Sequence, residues 1–126
     1  MLVADADPRQ RRMTAIVLRL AGYDVSETGQ GMNVLMDGRR GAFDAVVSET
    51  RLLDGDGIDL ARTMRQQEDT KALPILVLSA DLERRAEVEA FLGASGFLAK
   101  PAAPSELADR IALLLGRDQS PASATA

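Results

Sequence analysis

The sequence predicts an α/β domain: a doubly wound parallel sheet of five strands, with helices on both faces. Five short runs of strand character, MLVAD, YDVSE, DAVVSE, PILVLSA and GFLAK, alternate with five helical patterns. Strict alternation of this kind points to parallel strands joined by crossover helices. DAVV and PILVL are apolar almost without interruption, as strands covered on both faces are.

Each helix has its own signals. Met13, Ile16, Val17 and Leu20 fall at i, i+3, i+4 and i+7, and Gly22 ends that helix. Met32, Leu35 and Met36 mark a shorter second helix that stops near Gly38. Ile58, Leu60, Ala61 and Met64 mark a third. A fourth carries Leu82, Ala86, Ala90 and Phe91 and ends at Gly93. Ser105 is the expected cap of a fifth, whose apolar face is Leu107, Ile111 and Leu114. One domain is expected over residues 1–116, with 117–126 a disordered tail or linker because GRDQSPASATA is small and polar.

Composition narrows the function classes. A chain of 126 residues is one domain with a real core. It has no cysteine and no histidine, which removes disulfides, thiol chemistry, a histidine base and the usual zinc sites. A net charge of −4 argues against direct contact with nucleic acid, since a phosphate backbone needs a basic footprint. No apolar run approaches the ~20 residues of a membrane helix, and an acid interrupts the N-terminus before a secretory segment develops. The expected setting is cytoplasmic.

In doubly wound sheets, sites form at the C-terminal ends of the strands. The first strand ends in ADADP, with Asp5 and Asp7; the third ends at Glu49, the fourth at Ser79 and the fifth at Lys100-Pro101. Each residue alone has an ordinary structural role: a solvated carboxylate, a helix cap at Asp7, a turn serine, a surface lysine, a core aromatic at Phe97. The convergence of four strands on acids, a hydroxyl and a lysine is what marks a site. Thirteen of the fifteen basic residues are arginine, so a lysine here stands out.

From Leu2 to about Leu115 the chain resembles a response-regulator receiver domain of bacterial two-component signalling. LVADADP, RLLDGDG, PILVLSA and GASGFLAKP carry the resemblance, in order and at similar intervals. It implies a flavodoxin-like sheet of order 2-1-3-4-5. It also implies a phosphoacceptor position at Glu49, where the family carries an aspartate that becomes an acyl phosphate. Ser79 and Lys100 take the roles of binding phosphoryl oxygens, and Phe97 that of the switch aromatic. The family is not enzymatic in the usual sense; its partners are proteins, a histidine kinase or a downstream effector, and a homodimer through the fourth and fifth helices is compatible with it.

Three departures change what the resemblance implies. The family's paired acids after the first strand are here Asp5-Ala6, proline is replaced by Leu53, and the acceptor is Glu49. Mg²⁺ demands near-octahedral oxygens at ~2.0–2.1 Å. With Asp5 as the remaining metal ligand, that site is expected to be severely weakened. Glutamate carries its carboxylate one methylene farther out, toward Lys100, with about −1 charge against −1.5 to −2 for a phosphate. The leading expectation is a phosphorylation-independent pseudo-receiver in which Glu49 partly mimics a phosphoaspartate. The alternative is a Mg²⁺-dependent phosphoacceptor using Glu49 or a nearby acid; a small-molecule binder or hydrolase comes third. GQGMNV lacks the third glycine of a nucleotide loop, and DGDGID lacks the later ligands of a calcium loop, so both read as turns. Arg51 is two residues beyond Glu49, and a solvated arginine is expected there in preference to a guanidinium placed in the acidic pocket.

Overall fold

The computed structural model describes residues 1–117. Its central sheet contains β1 (Leu2–Ala4), β2 (Ser26–Thr28), β3 (Val46–Ser48), β4 (Ile75–Ser79) and β5 (Phe97–Ala99). All neighbours are parallel and the order is 2-1-3-4-5, in agreement with the sequence expectation. The helices are α1 (Pro8–Leu20), α2 (Gly31–Arg39), α3 (Gly57–Gln66), α4 (Arg85–Leu92) and α5 (Pro104–Leu114). A small antiparallel ribbon, Arg51–Leu52 with Gly55–Asp56, lies between β3 and α3. The proposed tail falls almost wholly on residues 118–126, outside the described residues.

Strand side chains alternate between the two faces, so each face has its own core. Leu2, Ala4, Val46 and Ile75 pack with Val34, Ala61 and Met64 on one side. Val3, Val47, Leu76 and Leu98 pack with Leu18, Leu107 and Ile111 on the other. A third group, Ile58, Val77, Val88 and Phe97, lies under α4. An arginine reaches each side of the sheet: Arg19 donates to Val25 O just before β2, and Arg110 to Phe97 O at the start of β5. Occupied edge carbonyls discourage strand addition.

Several helix details differ from the sequence reading. In α1 most of the periodic set points outward: Met13 is 64%, Ile16 45% and Leu20 84% exposed, while Val17 packs against the core edge and Thr14, Ala15 and Leu18 are buried. Small residues at 14 and 15 let the helix approach the sheet closely, and Leu18 fills the remaining space. Met32 and Met36 likewise face solvent, and α2 buries Gly31, Val34 and Gly38. Gly38 therefore lies within the helix, where a Cβ would crowd Thr70 and Phe43. Leu82 sits in a 3-10 turn before α4, and Val88 is that helix's buried residue. The cap position of α5 is Ala103, with Pro104 next and Glu106 accepting the Ala103 N–H, so Ser105 is not the cap.

Candidate functional site

The C-terminal ends of β1, β3, β4 and β5 bring Asp5, Glu49, Ser79 and Lys100 together. Asp7 turns away to cap α1, accepting from the N–H groups of Arg9 and Gln10. Pro8 at the first helical position fits this arrangement, because it needs no partner there. Asp5 is buried, and its Oδ1 accepts the Asp7 N–H at 2.9 Å.

Lys100 is the cation of the cluster. Its Nζ lies 2.9 Å from Glu49 Oε2 and 3.4 Å from Asp5 Oδ2. The other Glu49 oxygen, Oε1, accepts the Thr50 N–H at 2.7 Å and the Thr50 hydroxyl at 3.1 Å. Thr50 Oγ1 is also 3.3 Å from Ser79 Oγ, and Ser79 Oγ accepts the Asp81 N–H at 3.0 Å. A continuous polar chain thus runs from Lys100 through Glu49, Thr50 and Ser79 into the loop before α4.

Thr50 was not singled out in the sequence. Its only signal is adjacency to Glu49: a hydroxyl residue whose N–H and side chain can grip the same carboxylate. Gly57 also matters to the site. Its N–H donates to Thr50 O, and its Cα lies so near the Glu49 carbonyl that an added Cβ would be 2.0 Å from that oxygen. The Arg51 side chain is exposed, as a solvated arginine would be, and forms no ion pair with Asp5 or Glu49, while its carbonyl accepts the Ala6 N–H.

Burial opposes charge on Glu49. The Ser79 hydroxyl, the Lys100 ammonium and the Thr50 N–H together outweigh that penalty and hold its carboxyl below the usual glutamate value. At Asp5 burial prevails. It pushes the carboxyl up despite the Asp7 N–H and Lys100, and the Glu49 charge adds to the rise. The two acids are thus driven apart by their surroundings.

The donor set does not fit Mg²⁺. Ala6 offers a methyl group, Arg51 O is hydrogen-bonded to Ala6, and Lys100 already faces both carboxylates. Among the described residues no three His, Cys, Asp or Glu side chains gather closely enough to hold a metal ion. A hard cation there would have to displace Lys100 from both carboxylates. An open groove of about 950 Å³ runs from the cluster past Met13 and Val17 toward Leu107.

Fold and site together define a receiver-type signalling module: a doubly wound sheet whose carboxyl edge carries an acid, a hydroxyl and a lysine. Residues 1–112 match the response regulator receiver domain family, and the chain belongs to it. It is 30% identical over 113 residues to the chemotaxis protein CheY-3 of Vibrio cholerae, covering 88% of this chain and 87% of that protein. It is 31% identical to the phosphate regulon transcriptional regulatory protein PhoB of Pseudomonas aeruginosa over 93% of this chain, but spans only 52% of PhoB. Among solved structures, a response regulator from Chloroflexus aurantiacus superposes with a TM-score of 0.81 at 37% identity, over 92% of this chain and 96% of that one. The receiver domain of the sensor histidine kinase PA1611 from Pseudomonas aeruginosa, with a magnesium ion in its active-site cleft, gives 0.80 at 28% identity over 91% and 95%.

Proposed function

We propose that this receiver works as a phosphorylation-independent interaction module, with Glu49 partly standing in for a phosphoaspartate. The observation that carries the reading is the Glu49–Lys100 contact at 2.9 Å, with Thr50 holding the other carboxylate oxygen. Thr50 takes both acceptor sites of Oε1, and the Lys100 ammonium draws charge from Oε2, the oxygen that keeps a free lone pair, so the carboxylate is a weakened nucleophile held in one orientation. Phe97 gives further support. It is fully buried beside Val77 and Val88, the inward position that the resemblance associates with an active-like face.

The magnitudes suit a bias, not a lock. A lysine–carboxylate pair at a partly exposed lip stabilises by about 1 kcal/mol, which shifts a two-state equilibrium roughly fivefold. In this reading the chain is a non-enzymatic cytoplasmic module whose partner is a protein, a histidine kinase or a downstream effector. Dimerisation through α4 and α5 is a further part of the proposal. None of the described helices is long and apolar enough to cross a membrane.

Ring NMR of specifically labelled Phe97 tests this reading. In the wild type the ring should report one dominant inward state through contacts with Val77 and Val88. Glu49→Ala should raise the outward population by about fivefold. Unchanged ring contacts in that variant would remove Glu49 from the control of the face.

The second reading, a Mg²⁺-dependent phosphoacceptor, draws support from the magnesium-bearing PA1611 receiver. It would use Glu49 or a nearby acid such as Asp5. The engaged carboxylates and Ala6 favour the first reading.

A further inference from the structure

Helix α4 has only eight residues, one of them buried, and its N-terminus lacks a side-chain cap. Helices this short have little stability of their own, so contacts with neighbours must hold it. Its leading loop is tied to the site at one end, where Ser79 Oγ accepts the Asp81 N–H. The other tie runs to the start of α3 and touches neither Glu49 nor Lys100.

Arg84, immediately before α4, forms a fork with Glu87: Nε lies 3.1 Å from Oε2 and Nη2 lies 3.2 Å from Oε1. Its Nη1 meets Asp56 Oδ2. Asp56 is the N-cap of α3, and its Oδ1 accepts the Ile58 N–H at 2.7 Å and the Asp59 N–H at 3.3 Å. Glu87 also accepts from Arg62 Nη2 at 2.7 Å, and the Arg62 guanidinium lies 5.2 Å from the Phe91 ring centre. Two acids and two arginines therefore alternate across the gap between α3 and α4.

A lone exposed ion pair would count for little. Here one guanidinium serves two carboxylates and one carboxylate serves two guanidiniums, which is the bidentate, networked case that does contribute. Hydrogen bonds from Arg84 and then Arg62 hold the Glu87 carboxyl below its usual value. At Asp56, burial opposes the charge, but Arg84 and the α3 N–H groups outweigh it.

We propose that Asp56, Arg84, Glu87 and Arg62 form an electrostatic clamp that pins the start of α4 to the start of α3. The surface carried by α4 then has a clamped and a released position, and competition for the Arg84 guanidinium releases it. The clamp does not depend on how Glu49 is read. Its anchor, the α3 N-terminus, is fixed by the Gly57 N–H to Thr50 O bond and by the Asp56 cap, not by the Glu49 carboxylate. Arg85, the first residue of α4, lies over the Phe97 ring, so a shift of α4 would be felt there too.

Amide hydrogen exchange on the whole chain tests the clamp. At low salt, Arg84→Gln should make the amides of residues 85–92 exchange about tenfold faster, leaving Ile75–Ser79 unchanged. Asp56→Asn should loosen α4 similarly while α3 keeps its protection, because asparagine caps as well as aspartate. NaCl at about 1 M should speed exchange more in the wild type than in Arg84→Gln, where only the Arg62–Glu87 part of the clamp is left to be screened. Glu49→Gln should retain the salt response. The clamp is overturned if Arg84→Gln exchanges like the wild type, if the sheet amides accelerate by the same factor, or if Glu49→Gln abolishes the salt response.

Discussion

Replacing Lys100 with methionine should destabilise the domain by about 2–3 kcal/mol at pH 7, more than the pair's net worth. Removing one partner of a half-buried ion cluster leaves the others uncompensated, and that desolvation penalty dominates. Here two carboxylates are stranded, Asp5 and Glu49, both largely shielded from water. In the wild type, the lowered Glu49 value contributes stability that is present above its ordinary 4.5 and lost as pH falls through the folded value. Asp5 acts in the opposite sense. Its raised value costs stability at neutral pH, and the cost disappears as pH falls below its ordinary 3.8. Without Lys100 both acids move up from where they stand, so Glu49 contributes less and Asp5 costs more at pH 7, and neither matters once protonated in both states. Urea midpoints should therefore differ most near neutrality and converge only as pH falls below the ordinary Asp5 value of 3.8 and the lowered Glu49 value. An equal loss at both pH values would mean that Lys100 contributes through packing of its alkyl chain instead.

Gly57→Ala should be at least as damaging, by about 3 kcal/mol or more. Overpacking usually costs about 1–3 kcal/mol because side chains can yield. The obstacle here is the Glu49 carbonyl, 2.0 Å from the new Cβ, with Ser48 Oγ at 3.0 Å. Relief requires α3 to retreat from the end of β3, stretching the Gly57 N–H to Thr50 O bond. Such a loss is a large share of the ~5–15 kcal/mol available to a domain. A lower denaturation midpoint with an unchanged slope is the expected signature. A midpoint equal to the wild type's would show that this junction is looser than described.

The sheet was legible because covered parallel strands leave near-continuous apolar runs, and DAVV and PILVL are such runs. Asp5, Glu49, Ser79 and Lys100 were legible as a group because strand ends converge in this architecture. The face of α1 was not. Periodicity reveals a stripe but not its direction, and the Met13–Ile16–Leu20 stripe faces solvent while the less conspicuous Thr14, Ala15 and Leu18 face the core. Thr50 was hidden because its grip on Glu49 and Ser79 depends on how β3 ends beside β4, 29 residues away from Ser79. The Arg84 network was hidden for the same reason: Asp56 and Arg84 are 28 residues apart, and mixed-charge segments such as ERRAEVEA normally read as solvated faces.

The most direct measurement is intact mass after incubation with acetyl phosphate and Mg²⁺. The wild type should keep its mass, since Thr50 and Lys100 hold the Glu49 carboxylate in a charge-neutralised orientation and Ala6 supplies no second carboxylate. An Ala6→Asp/Glu49→Asp double variant, treated alongside, should gain one phosphoryl group and so show that the rest of the pocket is competent. A Mg²⁺-dependent phosphoryl adduct on the wild-type chain would contradict the account and make Glu49, or an acid beside it, a working acceptor.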